Sequence, residues 1–598
     1  MATDSEPGQI VIPEGYTLHT ENTARVLLPP ENQAFLNPVQ EFNRDLSVAC
    51  IRTWSELLNE EKEAKWRRNQ ERRAKQAERG PKAKRVKTED AAKAAAPVTE
   101  NTQEIASENA TESEVPQPAA GPSAKKQPEG AVVQYQPYKS VILEALSASG
   151  LRSIRYAKEV PLVKYVIAND LSHSAVEAMK RNVEINGLGG QDASNDEPSD
   201  KRTNGTAKPQ LGKVRVSEAD ACALMYNHRA DKSRVDVVDL DPYGTAAPFI
   251  DAAVQCVNDG GLLCVTCTDL AILATVNYPE KCFSNYGGVP VKAEYCHEAA
   301  LRLVLHTLST SASRYGRYIQ PLLSLSIDFY VRVFVRVFTV PNEVKKALSK
   351  TSTYYVCSGC QAFYEQPLGR VIENVHQPSG NVNLHFKAHT GPPVPNKCLE
   401  CNSPLHVAGP MWSGPIHDTA FVGKVLDHVE ASSNSYGTSA RMKGMLTVAK
   451  EELGRPFYFT PSRIAGAFHC VCPSLDELAS ALLNAGHEVS RSHASAGSIK
   501  TTASYADVYD IMRCWIKNHP VRTDKIAPNS PAIHLLSKEP KTEANFKHHP
   551  KSVTSSSKVK ILRYQSNPTP YWGPGKKAGS GPAPASGKRK RGGGDDDE

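Results

Sequence analysis

The sequence predicts an α/β protein, a Rossmann-like doubly wound domain followed by a smaller α+β domain. Three observations carry that expectation. Between Tyr138 and Val340, runs rich in Val, Ile and Leu alternate with helical stretches, the order that builds a parallel sheet covered by helices. Two of these runs end in an acid, Asp170 and Asp241, at the edge where open α/β sheets bind ligands. In the second half, Cys357-Ser-Gly-Cys360 and Cys398-Leu-Glu-Cys401 make two Cys-x-x-Cys pairs, a tetrahedral zinc pattern in a reduced chain.

Taken in order, residues 14–28 mix β-branched and polar side chains and predict a short hairpin. Asn37-Pro38 then leads into a helix with Phe42, Leu46, Val48, Cys50 and Ile51 as its apolar positions. Read by themselves, Arg44 and Asp45 suggest a surface ion pair of little worth. From Asn59 to Lys87 the chain is highly charged and mostly basic, a solvated helix by composition. Its end, residues 81–87 (PKAKRVK), reads as a nuclear import signal or an RNA contact. Residues 91–130 are rich in Ala, Glu, Pro and Ser without periodicity and read as disordered.

Order returns at Tyr138. Residues 141–146 (VILEAL) form a buried-strand pattern, and SASGLRSIRY (147–156) is a small-residue turn opening a helix. YVIAND (165–170) is a second strand ending in Asp170, and a helix over 172–186 follows. Strand, turn, helix, strand and acid make the nucleotide-binding half of a doubly wound fold, with the acid at a ribose. The turn carries only Gly150, so the G-x-G-x-x-G of dinucleotide sites is absent. An adenosine ligand without a pyrophosphate needs less close backbone approach, which favours S-adenosylmethionine over NAD; a generic βαβ unit is the plainer alternative. A polar loop (189–212) precedes a strand at 214–216, and the turn after it carries Asp220 and Ala221, a position that commonly touches adenine in such folds.

The stretch VDVVDLDPYG (235–244) carries the chemistry. Its β-branched half favours a strand, Pro242 has no N–H for a ladder, and Gly244 permits a tight turn. A carboxylate (Asp241), a free carbonyl (Pro242) and a ring (Tyr243) are delivered together at a strand end. The set suits an exocyclic nucleobase amine: two acceptors hold its hydrogens, its lone pair faces a methyl donor, and Tyr243 stacks on the base. It resembles the Asp/Asn-Pro-Pro-Tyr/Phe signature of amino-directed nucleic-acid methyltransferases, with an ordinary Asp-Pro turn as the plain alternative. A helix over 246–257 and a strand over 261–268 follow; Cys264 and Cys267 in that apolar strand read as core thiols rather than nucleophiles. After a helix at 297–308, YVRVFVRVFTV (330–340) alternates apolar residues with Arg332 and Arg336, predicting a half-buried strand that closes the domain.

Pro378-Ser-Gly-Asn381 predicts a hairpin turn between the two cysteine pairs. Helical residues 476–485, short strands near 488–491 and 498–502, and a helix over 505–517 resemble a winged-helix element. Beyond Pro520 the chain is rich in Lys, Ser, Pro and Gly, with a basic cluster at 588–591, and reads as a disordered tail. The expected organisation is an N-terminal arm of the catalytic domain (1–58), a disordered basic insertion (59–137), the catalytic domain (138–345), a zinc-containing domain (346–520) and a basic tail (521–598).

Composition narrows the classes. At 598 residues with 40% hydrophobic content the chain can bury sizeable cores, while 42 prolines and 38 glycines point to long unstructured parts. No run approaches a membrane span, and the acidic start MATDSEPGQ argues against secretion. Fourteen cysteines, several inside apolar runs, suit a reducing compartment.

The blocks NPVQEFNRDLS, EALSASGLRSIRYA, ANDLSHSAVEAMKRNVEINGL, DLDPYGT, CHEAALRLV and PMWSGPIHD, in this order, resemble the tRNA (guanine(26)-N(2))-dimethyltransferase family, class I S-adenosylmethionine-dependent enzymes of archaea and eukaryotes. The resemblance runs from about Tyr16 to Lys517. It implies that Arg44 contributes to the methyl-donor site, which replaces the bland reading of that residue. It also implies that Gly150, Arg152 and Asp170 hold S-adenosylmethionine, Asp170 at the ribose, with Asp220 and Ala221 at the adenine. Asp241 falls on the catalytic aspartate, with Pro242 and Tyr243 beside it; many members have Phe at the tyrosine position. Zinc at Cys357, Cys360, Cys398 and Cys401 is expected to be structural. The implied substrate is tRNA, methylated at the N2 amine of guanosine 26 to N2,N2-dimethylguanosine. The alternatives are another nucleic-acid guanine N2-methyltransferase or a non-catalytic tRNA-binding chaperone. Arg491, Lys500, Arg513 and Lys517 are the expected tRNA contacts, ahead of the insertion's basic residues 67–75 and the tail cluster. A nuclear monomer met by the import machinery is expected, with a mitochondrial pool left open.

Overall fold

The computed structural model describes residues 12–29, 36–78, 134–190 and 211–559. The import-like clusters at 81–87 and 588–591, the low-complexity stretch at 91–130 and most of the 189–212 loop lie outside them. The described residues divide into two compact units, one spanning Asn59–Tyr138 and the other the rest.

The larger unit opens with a hairpin, β1 (Thr17–Glu21) against β2 (Ala24–Leu28), as its β-branched content predicts. Asn37 caps the turn before α1 (Glu41–Glu78) by accepting from Val39 N at 3.0 Å. The apolar positions of α1 from Phe42 to Trp54 are buried, and Trp54 Nε1 donates to the Gly260 carbonyl at 3.3 Å. In the smaller unit, α1 runs on to Glu78 within the basic stretch. There the Asn59 side chain receives Tyr138 N at 2.7 Å and donates to the Tyr138 carbonyl at 2.8 Å, and Tyr135 lies 5.9 Å from Trp66.

The central sheet contains β3 (Ser140–Glu144), β4 (Val163–Asp170), β5 (Val214–Glu218), β6 (Val235–Leu240), β7 (Val257–Cys267), β8 (Tyr318–Ile327) and β9 (Tyr330–Phe338). Their order is β5-β4-β3-β6-β7-β9-β8, parallel as far as β7 and antiparallel at β9 and β8. This is the predicted α/β class, with a mixed seven-stranded sheet. The parallel strands are linked by α2 (Leu151–Glu159), α3 (His173–Ile185), α4 (Ala221–Asn227) and α5 (Ala247–Cys256). Crossover helices bury both faces of such strands, so β6 has no exposed residue despite carrying Asp236 and Asp239. After β7 the chain forms α6 (Leu270–Leu273), α7 (Pro279–Tyr286) and the long α8 (Cys296–Ser313).

Beyond a short turn, α9 (Pro341–Val344), the strands β10 (Thr351–Cys357), β11 (Phe363–Pro367) and β14 (Leu405–Trp412) make a three-stranded sheet. The hairpin β12 (Gly369–His376) and β13 (Asn381–Ala388) lies in sequence between the cysteine pairs, with Gly380 at φ +66° in its turn. Helices α10 (Thr419–Ala431), α11 (Ser439–Glu451), α12 (Pro461–Phe468) and α13 (Leu475–Asn484), strands β15 (Val489–Ser490) and β16 (Lys500–Thr501), and helices α14 (Tyr505–Asn518), α15 (Pro531–Leu536) and α16 (Ser555–Lys558) complete the described residues. Tyr354, Met411, Trp412 and Phe457 pack in one hydrophobic cluster with Val333 and Val335 of the central sheet. The core therefore crosses the expected 345/346 boundary.

Three expectations are corrected, and one strand had escaped notice. Strand β9 is not half-buried: all but its last residue are buried, Arg332 and Arg336 included, because α-helical layers and β7 and β8 enclose it. Strand β8 carried no recognised signal, since its polar Gln320, Ser324 and Ser326 blur the apolar run. The winged-helix expectation reduces to α13 and α14 around a ladder of two residues per strand. Residues 521–559, expected to belong to a tail, pack on: Arg513 Nε donates to Leu535 O at 3.0 Å, Phe546 lies 5.2 Å from Trp515, and Ser555 N donates to Glu451 at 2.8 Å. The Lys, Ser and Pro content of this segment hid the few apolar residues, Leu535, Leu536 and Phe546, that pack against the C-terminal core.

Candidate active site

The carboxyl ends of β5, β4, β3 and β6 lie side by side, so Asp220, Asp170, the Gly150 turn and Asp241 share one edge. Neighbouring strands are about 4.8 Å apart, which spreads this edge over about 14 Å, the reach of an extended nucleoside bearing an amino-acid chain. Gly150 precedes α2 at φ +76°, and a Cβ there would meet Met179 Cγ at 3.0 Å, so only glycine turns the chain here without strain. Asp170 braces the turn: its Oδ2 accepts from Ala148 N at 3.0 Å and its Oδ1 from Ser172 N at 2.9 Å. Each oxygen keeps a further lone pair for a ligand hydroxyl. Asp220 caps α4, Oδ1 accepting from Ala223 N at 2.8 Å, with Ala221 buried behind it. Acceptors at two adjacent strand ends fit the hydroxyl and amine donors of an adenosine.

Asp241 follows β6 with its side chain 12% exposed. Its Oδ2 faces Arg152 Nη2 and receives Asn43 Nδ2 at 3.4 Å, while Oδ1 has no partner among the described residues. The Pro242 carbonyl likewise accepts no hydrogen bond from them. Tyr243 is 62% exposed. The loop is held from β7's side: Gly244 N donates to Thr268 Oγ1 and Thr268 N to Gly244 O, both at 2.8 Å, and Thr245 Oγ1 lies 2.7 Å from Tyr286 OH. Two unused acceptors and an exposed ring thus stand on a braced loop, which is what orienting a planar amine requires.

Beneath Asp241 lies a buried charge web. Arg152 also approaches Glu144 at 3.6 Å and Asp239 at 3.7 Å. Asp239 receives Arg332 Nη1 at 2.8 Å and Tyr156 OH at 2.5 Å; Ser47 Oγ takes Arg332 at 2.8 Å and Arg152 at 3.1 Å. Burial raises the Asp239 carboxyl but the Arg332 and Arg152 guanidiniums outweigh it and hold it below the usual range. Glu144 goes the other way: burial, with Asp239 adding, pushes it up to about 8 against the pull of Arg152 and Ser153. With Glu144 neutral, two carboxylates meet two guanidiniums and the buried charge balances. Between about pH 4.5 and 8 the folded state therefore holds a proton that the unfolded state has lost, so stability falls as pH rises across that window. Glu144→Gln is expected to flatten that part of a urea-denaturation pH profile, on the order of a few kcal/mol between its ends.

A second web positions the arm. Arg44 binds Glu21 through Nε at 2.7 Å and Nη2 at 2.5 Å and also donates to the Asn37 carbonyl. Arg155 pairs with Glu21 at 2.8 Å, Asp45 at 2.7 Å and Glu159 at 2.9 Å. Arg44 and Asp45 are buried and paired elsewhere, so their reading as a surface pair is corrected. Asn43, Glu144, Asp239 and Arg332 were missed as site residues by motif reading; for the last three, charged side chains inside apolar strand runs were the only trace. Cys264 and Cys267 are buried, and burial pushes Cys267 up to about 12, so both are core thiols.

The four expected metal cysteines converge. Cys357 and Cys401 Sγ are 3.3 Å apart and Cys360 and Cys398 Sγ 3.7 Å, near the roughly 3.8 Å edge of a tetrahedral zinc-thiolate site. The two turns repeat one geometry. Gly359 N and Cys360 N point to Cys357 Sγ, and Glu400 N to Cys398 Sγ, at 3.3–3.4 Å. Gln361 and Asn402, just after each pair, both take left-handed backbone. The donor set fits zinc. A second cluster, His417, Glu452 and His493, does not fit a metal. Ser324 N occupies His417 Nδ1 and Ser326 N occupies His493 Nε2, while both other nitrogens and Lys500 Nζ face Glu452. Lys500, buried between Glu298 at 3.1 Å and Glu452 at 2.9 Å, and Arg513, paired with Glu400 and Asp510, are thereby corrected as RNA contacts. Of that set, Lys517 is exposed and Arg491 half-buried.

Comparison with known proteins follows this geometry. The family model for N2,N2-dimethylguanosine tRNA methyltransferase matches residues 15–513. The chain is 42% identical over 571 residues to the mouse tRNA (guanine(26)-N(2))-dimethyltransferase, covering 95% of this chain and 78% of that protein. It is 39% identical over 584 residues to the mitochondrial enzyme of that name from Saccharomyces cerevisiae, covering 94% and 92%. In fold it is similar to Trm1 from Pyrococcus horikoshii, solved with S-adenosyl-L-methionine, at 23% identity and a TM-score of 0.54 over 82% of this chain and 98% of that one. Because the family match runs from the hairpin through the strand-end acids and both cysteine turns, kinship is plain: the chain belongs to the N2,N2-dimethylguanosine tRNA methyltransferase family.

Proposed function

We propose that the protein methylates the N2 amine of guanosine 26 in tRNA, twice, from S-adenosylmethionine. The observation that carries this reading is the pair of unused acceptors, Asp241 Oδ1 and the Pro242 carbonyl, beside the exposed Tyr243 ring. Asp170 would hold the donor's ribose hydroxyls, Asp220 and Ala221 its adenine, and the Gly150 turn its methionyl side. Arg44 and Arg152 act through carboxylates: Arg44 fixes the arm through Glu21, and Arg152 fixes Asp241. Bound there, S-adenosylmethionine supplies an electrophilic methyl group. The chain's part is to bring the target base out of its stack against Tyr243 and hold the amine hydrogens, two at the first transfer and one at the second, so that the nitrogen lone pair points at the donor. As the methyl passes from the donor's sulfur to the nitrogen, leaving a neutral thioether, Asp241 Oδ1 would take the amine proton that is released.

The test is transfer of labelled methyl to an unmodified tRNA transcript, followed by nucleoside mass spectrometry. N2,N2-dimethylguanosine at position 26 is expected; monomethylguanosine only, or label elsewhere, would sink the reading. Asp170→Ala should weaken donor binding by about 1–3 kcal/mol, because a ligand hydroxyl loses its acceptor. Calorimetry giving wild-type affinity would place the ribose acid elsewhere.

Zinc held by Cys357, Cys360, Cys398 and Cys401 is proposed as structural, since four thiolates leave no position for a water. Metal analysis of the purified protein should find one zinc per chain, and Cys401→Ser should lower both zinc content and melting temperature. Protein isolated without chelator yet free of zinc would rule this out. For localisation, no helix among the described residues is long and apolar enough to cross a membrane. The basic clusters at 81–87 and 588–591 support nuclear import.

A further inference from the structure

A cavity lies in the C-terminal half, between β11, the second cysteine turn, segment 455–459 and the start of α14. Its volume is about 340 Å³, the lower range for small-ligand sites and enough for one nucleoside. Its walls are aromatic. Phe363 stands edge-on to Tyr505 at 5.5 Å and to Phe457 at 5.0 Å, so the rings are locked by one another, and Tyr364 is held by a hydrogen bond from Leu399 N at 3.1 Å. Its polar groups are partly uncommitted. Glu365 Oε1 accepts from Ser352 at 2.7 Å, but its Oε2 has no partner among the described residues, and neither has the Tyr505 hydroxyl. Arg455 is exposed at the rim and pairs with no carboxylate among them.

Each feature matches one part of a nucleotide. Fixed rings offer stacking faces, a carboxylate oxygen and a phenol can meet donors and acceptors on a base edge, and an unpaired guanidinium meets a phosphate. We propose that this cavity binds one unpaired nucleotide of the tRNA, separate from the guanine that is methylated. The proposal rests on tRNA being the substrate. It supplies a recognition point that the buried Lys500 and Arg513 cannot, and it lies against the zinc turn: Leu399 and Glu400 belong to both. The four cysteines thereby shape an RNA-binding wall without touching the chemistry.

The test uses the full chain and an unmodified tRNA transcript. Ala506→Phe, on the first turn of α14, fills the cavity, and Arg455→Glu reverses the rim charge. Each should raise KM for tRNA about tenfold while kcat stays within about twofold, the loss of one stacked base or one phosphate contact. Ultraviolet cross-linking of the wild-type complex should place a nucleotide adduct on the peptide of Tyr364 or of Tyr505. Both variants keeping wild-type KM, with zinc content and melting temperature unchanged, would overturn the proposal, as would adducts found only on other peptides. If the wild-type protein transfers no methyl to tRNA, the catalytic reading fails, and the cross-link still reads the cavity on its own.

Discussion

Asp241→Asn is expected to lower methyl transfer about 10²–10³-fold while leaving the fold and donor binding close to wild type. The amide keeps the shape of the carboxylate and one oxygen, so Arg152 still finds a partner and still approaches Asp239 and Glu144. What is lost is a charged acceptor for the amine and a place for its proton. Single-turnover kinetics with labelled donor, at equal folded concentration, separates this from a binding defect: the chemical step should slow while donor affinity moves little. A near wild-type single-turnover rate would remove Asp241 from the catalytic role.

Arg152→Leu should be the most damaging change to stability, costing about 3–5 kcal/mol, because it leaves the Asp241 carboxylate without a guanidinium and the buried Asp239 carboxylate with one instead of two. Asp239 keeps Arg332 and the neutral Glu144 needs no cation, but Asp241 keeps none within ion-pair distance among the described residues. Transfer should also fail, since Asp241 is no longer held in place. The mechanism predicts non-additivity: Arg152→Leu with Asp241→Asn should cost less than the sum of the two, as the neutral amide tolerates the loss. Urea denaturation of all four proteins measures the coupling. Strict additivity would mean that the two side chains do not act as a pair.

Much of the fold was legible in the sequence because local chemistry carried it. Period and β-branching marked β3, β4, β6 and β7, and Pro242 and Gly244 ended β6 where they had to. The cysteine spacing announced a four-thiol site whose sulfurs do converge. The six collinear blocks named a family that the comparisons bear out over residues 15–513.

What stayed hidden shares one physical cause: whether a charged side chain is inside or outside depends on partners far away in the chain. Arg332 and Arg336 looked like the wet face of β9, yet Arg332 lies against Asp239, 93 residues away, and burial is tolerable only because that carboxylate is there. Lys500 and Arg513 looked like phosphate contacts for the same reason, and Glu298, Glu452, Glu400 and Asp510 claim them instead. Arg44 paired not with its neighbour Asp45 but with Glu21 across the hairpin. Strand-end chemistry, turn residues and metal spacing were thus determined by the sequence itself. The tertiary structure decided which charges are buried, which acceptors of Asp241 and Pro242 stay unused, and that rings from β11, segment 455–459 and α14 enclose a cavity. Local propensity acts within a few residues, whereas desolvation of a charge or a ring is settled only when distant segments meet.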